Sequence, residues 1–451
     1  MRKRISAFFS VLTAIVLLTV PASAASSGST LKIICADAGQ VIFTPPGSTQ
    51  YAYRYGPAIL IDGDRIDIWA SAPPLVSNGV RYGNDSIEYI RSTDGGKTWT
   101  EWKTVLYPTL NSEDQWSTCD PGAFKYGDYY YVGYTGSPEF RTNPDKEKQV
   151  NNLFIARAKN PEGPYEKWNG NGWGGDPYAI TRYSGDGVGC SMPSFTVKGD
   201  TLYMYYVDQT HPDQDWNSEG NISVSTFSLK DPNWPGNELS NKMCENKPEE
   251  VRYCPDIDKF IGFQLKGGWD YDSYVEIYES TDGVNFTKTS SFRNNFPHYA
   301  HNIGISGNNL GQLDLSIQNY IGTAYTPTGV EAWWGHWHTQ LIPLYIREEQ
   351  PSSTTSSQPS GSTDSSSRKP TTSSVGSTDG ESSETEVSEP QNSNIESTVS
   401  DDKDKDKEVN NKTEQQEETS YLWLYIVIGA VVVLAGAGTA VYFLVIKKKH
   451  V

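Results

Sequence analysis

The chain has 451 residues and a formal net charge of −18, with 55 acidic against 37 basic side chains. It shows no Lys/Arg stripe, so nucleic acid is excluded as a natural partner. The 28 Tyr, 13 Trp and 40 Gly are the wrong material for a helical bundle and the right material for strands joined by tight turns.

In chain order, residues 1–24 form a secretory signal. Arg2, Lys3 and Arg4 open it, an apolar run follows, and Ala22-Ser23-Ala24 ends it. Residues 30–347 then repeat one unit five times, a Gly-Asp or Asp turn followed by an aromatic or β-branched strand. The copies are Gly63-Asp64 to Trp69, Gly127-Asp128 to Val132, Gly199-Asp200 to Tyr206, Asp256 to Phe263, and the least complete, Gly311 to Leu315. Self-similar strand units spaced roughly 50–70 residues apart predict blades around an axis, because one small sheet cannot bury both faces alone. The predicted fold is all-β, a five-bladed β-propeller whose axial funnel suits a sugar.

Outer elements accompany these units. Ser92-Thr93-Asp94-Gly95-Gly96-Lys97-Thr98-Trp99 is a full Asp-box, and Ser280-Thr281-Asp282-Gly283-Val284-Asn285-Phe286 is a shorter relative. Their Asp and Gly serve turn geometry, so they carry no predicted catalysis. The five cysteines, Cys35, Cys119, Cys190, Cys244 and Cys254, are an odd number. At least one is therefore unpaired, Cys244 and Cys254 are near enough to close a short loop, and five free buried thiols are the alternative. No C-x-x-C pair supports a zinc site.

Residues 350–420 read as a disordered Ser/Thr-rich stalk that turns acidic toward Asp401–Glu408. Leu422 to Ile446 carries no charge and is long enough to cross a bilayer as a helix. Lys447, Lys448 and Lys449 in the 447–451 tail place the C-terminus inside. The expected topology is a monomeric, single-pass chain anchored by this helix, with the propeller displayed outside the cell.

Cys119-Asp120-Pro121 followed by Gly127-Asp128-Tyr129-Tyr130-Tyr131 is similar to an inner strand of the five-bladed β-propeller glycosidases, the clan of glycoside hydrolase family 43. Ala156 to Tyr165 resembles a turn of the same enzymes. Tyr53-Arg54-Tyr55-Gly56-Pro57-Ala58 resembles the Arg-Ile-Pro element that opens sialidases. The resemblance implies hydrolysis of an extracellular glycan or oligosaccharide by two carboxyl groups, one protonated and one ionised. It requires no cofactor and leaves open a calcium ion at the propeller axis near His301. It assigns Asp120 a tuning and orienting role. Blade one shows Pro57-Ala58 where Asp-Pro is expected, and blade three shows Met192-Pro193 where Glu-Pro is expected. Glu113, Asp114, Glu249, Glu250 and Asp256 are the replacement carboxylates.

The catalytic candidates are thus Asp120, Asp256 and Glu250. Arg54 (a clamp for a substrate carboxylate, or a salt-bridge partner), Trp116, His301 and Trp334 are the substrate-binding candidates. A non-catalytic glycan-binding or adhesion protein on the same fold is the alternative. A sialidase, which would need three arginines and a Tyr–Glu pair, is the third reading.

Overall fold

The computed structural model describes residues 29–46, 52–143, 146–182, 188–210, 220–328 and 336–349. The signal segment, the stalk, the apolar run 422–446 with its basic tail, and Trp334 lie outside the described residues.

The described chain is all β. Strands β1 (Thr30–Cys35) and β2 (Gln40–Phe43) precede blade one, which comprises β3 (Tyr55–Asp62), β4 (Arg65–Ala72), β7 (Ser86–Ser92) and β8 (Lys103–Leu106). A small hairpin, β5 (Leu75–Ser77) and β6 (Val80–Tyr82), interrupts it. Blade two is β9 (Ser117–Tyr126), β10 (Tyr129–Ser137), β13 (Asn152–Ala158) and β14 (Glu166–Lys167), with the hairpin β11 (Phe140–Asn143) and β12 (Lys146–Gln149) inserted. Blade three is β15 (Gly189–Lys198), β16 (Thr201–Gln209), β17 (Asn221–Ser228) and β18 (Glu238–Met243). Blade four is β19 (Glu250–Cys254), β20 (Lys259–Lys266), β21 (Tyr274–Ser280) and β22 (Thr287–Phe292). Blade five is β23 (Ala300–Gly307), β24 (Asn319–Tyr325), β25 (His338–Glu349) and, as its outermost strand, β1 from the other end of the domain.

Strands β3, β9, β15, β19 and β23 each lie beside the next, and β23 returns to β3 in parallel pairing at Ser306–Ile59. Five antiparallel sheets therefore form a closed ring, the arrangement of a five-bladed propeller. Packing shows why. Apolar clusters among the described residues sit between successive blades: Trp69 with Tyr130, Phe124 with Met204, Val224 with Phe260, Phe263 with Ile305, and Ile68 with Leu341. Each blade buries both faces against its neighbours, as no blade could alone. In β1 the alternation is strict, with Leu31, Ile33 and Cys35 turned inward. Lys259 and Glu279 of blade four clamp that strand through the Ser29 carbonyl and the Leu31 N–H.

Near the axis the backbones nearly touch. A Cβ on Gly304 would lie 1.5 Å from the Pro57 carbonyl oxygen, and one on Gly122 would lie 2.0 Å from that of Pro193.

Four of the repeated turns join first and second blade strands as predicted. The fifth stands at the equivalent place but is no tight turn: Gly311 to Leu315 lies inside the longer connection between β23 and β24 and does not itself begin a strand. Its hydrogen bonds explain the departure. The N–H groups of Lys125 and Val197 donate to the carbonyls of Asn309 and Leu310, and the Leu313 N–H donates to the Tyr253 carbonyl. The Asn309 amide reaches Asp62. This segment binds the far ends of the other four inner strands and plugs the channel there, leaving the funnel a mouth at the opposite end.

All five cysteines are free and buried, so Cys244 and Cys254 do not close a loop. Burial pushes the thiols of Cys35, Cys190, Cys244 and Cys254 up to about 12, which makes them poor nucleophiles.

Candidate functional site

At the mouth, four inner strands enter the ring through the same kink. The strand register shifts at Gly56-Pro57, Asp120-Pro121, Met192-Pro193 and Asn302, and these residues have φ of 57°, 48°, 57° and 54° at Gly56, Asp120, Met192 and Asn302. Each kink is a β-bulge that re-aims one side chain. The blade-one partner of Asp120 is therefore Gly56, one residue before the Pro57-Ala58 pair singled out in the sequence. Blade four enters at Glu250 with continuous pairing.

Three of these entries converge. The Asn302 amide donates to Asp120 Oδ1 at 3.2 Å, and a Cβ on Gly56 would lie 3.5 Å from both of those atoms. The Asp120 backbone N–H donates to Ser71 Oγ at 2.7 Å, the Thr135 hydroxyl bonds its carboxyl, and the Cys119 thiol lies 3.5 Å from Oδ2. Left-handed backbone at a non-glycine residue is strained, and such strain gathers at functional sites.

Burial pushes the Asp120 carboxyl up to about 6, helped by the charge of Asp85 and opposed by Thr135 and Cys119. The group thus binds its proton more tightly in the fold. Its contribution favours the native state at low pH and falls away as pH rises from the ordinary value, 3.8, through about 6.

Beside Asp120 stands an aromatic wall. His301 stacks on Trp337 with centroids 4.3 Å apart, and lies 4.5 Å from Trp269 and 5.4 Å from Tyr55. Burial lowers the imidazole to about 3, so His301 is neutral at physiological pH.

Glu250 begins the blade-four inner strand. Its Oε2 lies 2.9 Å from the Arg252 guanidinium and accepts from Ser194 Oγ at 3.2 Å. Arg252 is buried and spans blades three and five, donating to Ser194 Oγ and the Ile305 carbonyl. Burial pushes Glu250 up from the ordinary range while Arg252 works against it. A guanidinium does not deprotonate, so its counter-charge is the ionised carboxylate.

The remaining candidates are placed elsewhere. Asp256 lies in the exposed turn between β19 and β20, at the far end of the strand that Glu250 begins. There it accepts the Leu315 N–H and helps hold the plug, so strand direction removes it from the mouth. Arg54 is occupied by Glu88 at 2.5 Å, within blade one, and packs over the rings of Phe43 and Trp102. Trp116, just before β9, lines a shallow depression with Arg81, Leu110 and Pro138. Glu113 pairs with Arg182, and Asp114 pairs with Lys167. Glu249 accepts the Leu265 N–H.

The structure thus brings Asp120 together with two residues that are not among the sequence's site candidates, Asn302 and Gly56. The signal was there for Gly56, since Gly-Pro, Asp-Pro and Met-Pro all mark the kink. Calcium takes six to eight oxygens. Among the described residues no group of three or more His, Cys, Asp or Glu gathers to hold a metal.

No protein-family model and no curated protein matches this chain. Solved structures similar in chain trace include the α-L-arabinofuranosidase PaAbf62A of Podospora anserina, determined with cellotriose (12% identity, 72% of this chain and 99% of that one, TM-score 0.45). Another is the catalytic domain of a GH62 α-L-arabinofuranosidase of Coprinopsis cinerea (12% identity, 70% and 98%, TM-score 0.47). A third is Zg3597, a family 117 glycoside hydrolase of Zobellia galactanivorans (15% identity, 71% and 91%, TM-score 0.46). The functional reading rests on the geometry of the site itself.

Proposed function

We propose that the chain is a glycoside hydrolase acting on an extracellular, uncharged glycan at the propeller mouth. The observation that carries the reading is Asp120, a carboxyl raised to about 6, fixed on a strained kink at the axis and flanked by an aromatic wall. Glycoside hydrolysis needs one carboxyl able to deliver a proton and one kept ionised, and environment separates the two. Asp120, which among the described residues has no cationic hydrogen-bond partner, is the proton donor. Glu250, facing Arg252, is the ionised partner. This departs from the resemblance, which implies a tuning and orienting role for Asp120. Trp269, the ring of this wall that is open to solvent and is backed by the buried Trp337, suits the apolar face of a sugar ring.

Anionic sugars fit less well. Arg54 and Arg252 are held by Glu88 and Glu250, and His301 is neutral. These observations weigh against the sialidase reading.

The test is turnover of the purified chain on a panel of aryl glycosides and polysaccharides across pH. If Asp120 donates the proton, kcat/KM declines as pH rises above about 6. Turnover that climbs through that range contradicts the assignment. One observation favours a second reading, a non-catalytic glycan-binding protein: Gly56 and Met192 supply no carboxyl at the positions equivalent to Asp120. Glycan binding with no turnover on any substrate supports that reading.

The signal segment, the stalk and the apolar run 422–446 lead us to place the propeller on the cell surface. Protease added outside intact cells is expected to release it by cutting within residues 350–420. Full protection of the domain in intact cells contradicts that topology.

A further inference from the structure

Left-handed backbone recurs where blade four hands over to blade five. Trp269 has φ 70°, Tyr299 φ 51° and Asn302 φ 54°. Bulky aromatic residues rarely adopt this conformation, and here the surroundings impose it. The loop 267–273 follows β20. The Trp269 N–H donates to the Ala300 carbonyl and the Tyr299 N–H to the Asp270 carbonyl, both at 2.9 Å. The fully buried Ser273 hydroxyl donates to the carbonyls of Gly267 and Asp270 and accepts the Ala300 N–H.

This stapling fixes two exposed rings in series. Trp269, 37% exposed, leans on His301 and Trp337. Two residues on in the loop, Tyr271 is 50% exposed and lies flat on His298, with centroids 3.8 Å apart and planes 20° apart. His298 is in turn braced by Arg293. The inner end of the series reaches the Asn302–Asp120 hydrogen bond through His301 and Tyr55. Asp270 and Asp272 are exposed on the same loop, which disfavours an anionic ligand.

We propose that Trp269 and Tyr271 form a ledge between blades four and five along which an uncharged glycan chain of several units is laid, its terminal ring reaching Asp120 and Asn302. The inference rests on the reading of the funnel as a glycan site and adds the substrate class, a chain rather than a single glycoside. Strain supports the assignment at Trp269, whose ring the fold holds open to solvent on a left-handed backbone.

The full chain is titrated with xylo-, cello- and arabino-oligosaccharide ladders from disaccharide to hexasaccharide. Affinity is expected to rise with length on at least one ladder. Trp269→Ala lowers affinity about tenfold at every length. Tyr271→Ala leaves the disaccharide unchanged and abolishes the gain from longer chains. Trp269→Gly separates binding from folding: glycine is at ease at φ 70°, so the variant stays folded while binding stays weak. Wild-type affinity in Trp269→Gly overturns the ledge. Hydrolysis with affinity independent of length overturns the ledge and leaves the hydrolase reading standing. Length-dependent binding without hydrolysis keeps the ledge and removes the hydrolase. Binding confined to an anionic probe such as oligogalacturonate overturns the uncharged substrate, and failure to bind any glycan overturns both readings.

Discussion

Asp120→Asn is expected to lower turnover by about 10²–10⁴-fold, the usual contribution of a positioned acid or base. The fold should survive. Asn keeps an oxygen that can accept from the Asn302 amide, and the backbone bond to Ser71 does not involve the side chain. The substitution removes only the exchangeable proton, so KM should change little while kcat falls. The residual activity should also lose its dependence on pH near 6. Unchanged turnover would remove Asp120 from the mechanism. An equal loss of binding and turnover would instead make it a contact to the ground-state sugar.

The second large effect is on stability. Lys167 and Asp114 form a buried pair at 2.5 Å, and Asp114 is fully enclosed. Tyr134 and the Thr109 N–H also donate to Asp114, and Lys167 reaches Thr109 Oγ1 and the Tyr107 carbonyl. The pair ties blade two to the loop leading into its inner strand. Asp114→Ala leaves an ammonium group buried without its counter-charge, and burial already depresses the Lys167 pKa. The expected cost is about 3–5 kcal/mol. Replacing both partners, Asp114→Leu with Lys167→Met, should recover much of it, because no charge is then stranded. Urea denaturation midpoints at constant m-value provide the measurement. A single variant as stable as wild type would show that the pair is not needed.

What could be read from the sequence was mostly local chemistry. Gly63-Asp64, Gly127-Asp128 and Gly199-Asp200 each close a two-residue turn with their own backbone preferences, so turn and strands were recognisable together. Gly311 has the same left-handed backbone but meets the Phe195 carbonyl of blade three, a contact no local pattern encodes. Asp120 was legible because Asp-Pro marks the kink. Asn302 was not, since its kink carries Ile303 where the others carry proline. Asp256 and Arg54 had suitable chemistry and the wrong surroundings: strand direction carries one to the plug, and Glu88 takes the other. Trp269 gave no signal, because its role depends on a backbone conformation rather than on a residue pattern.

The most direct test of the central claim is the structure of the Asp120→Asn protein with a bound oligosaccharide, the variant being chosen so that the glycan is retained. The account predicts a sugar ring at the mouth, within hydrogen-bond reach of residue 120 and Asn302 and stacked on Trp269. A glycan found only on the flank, in the groove lined by Trp168, Tyr178 and Gly236, with the mouth empty, would contradict it.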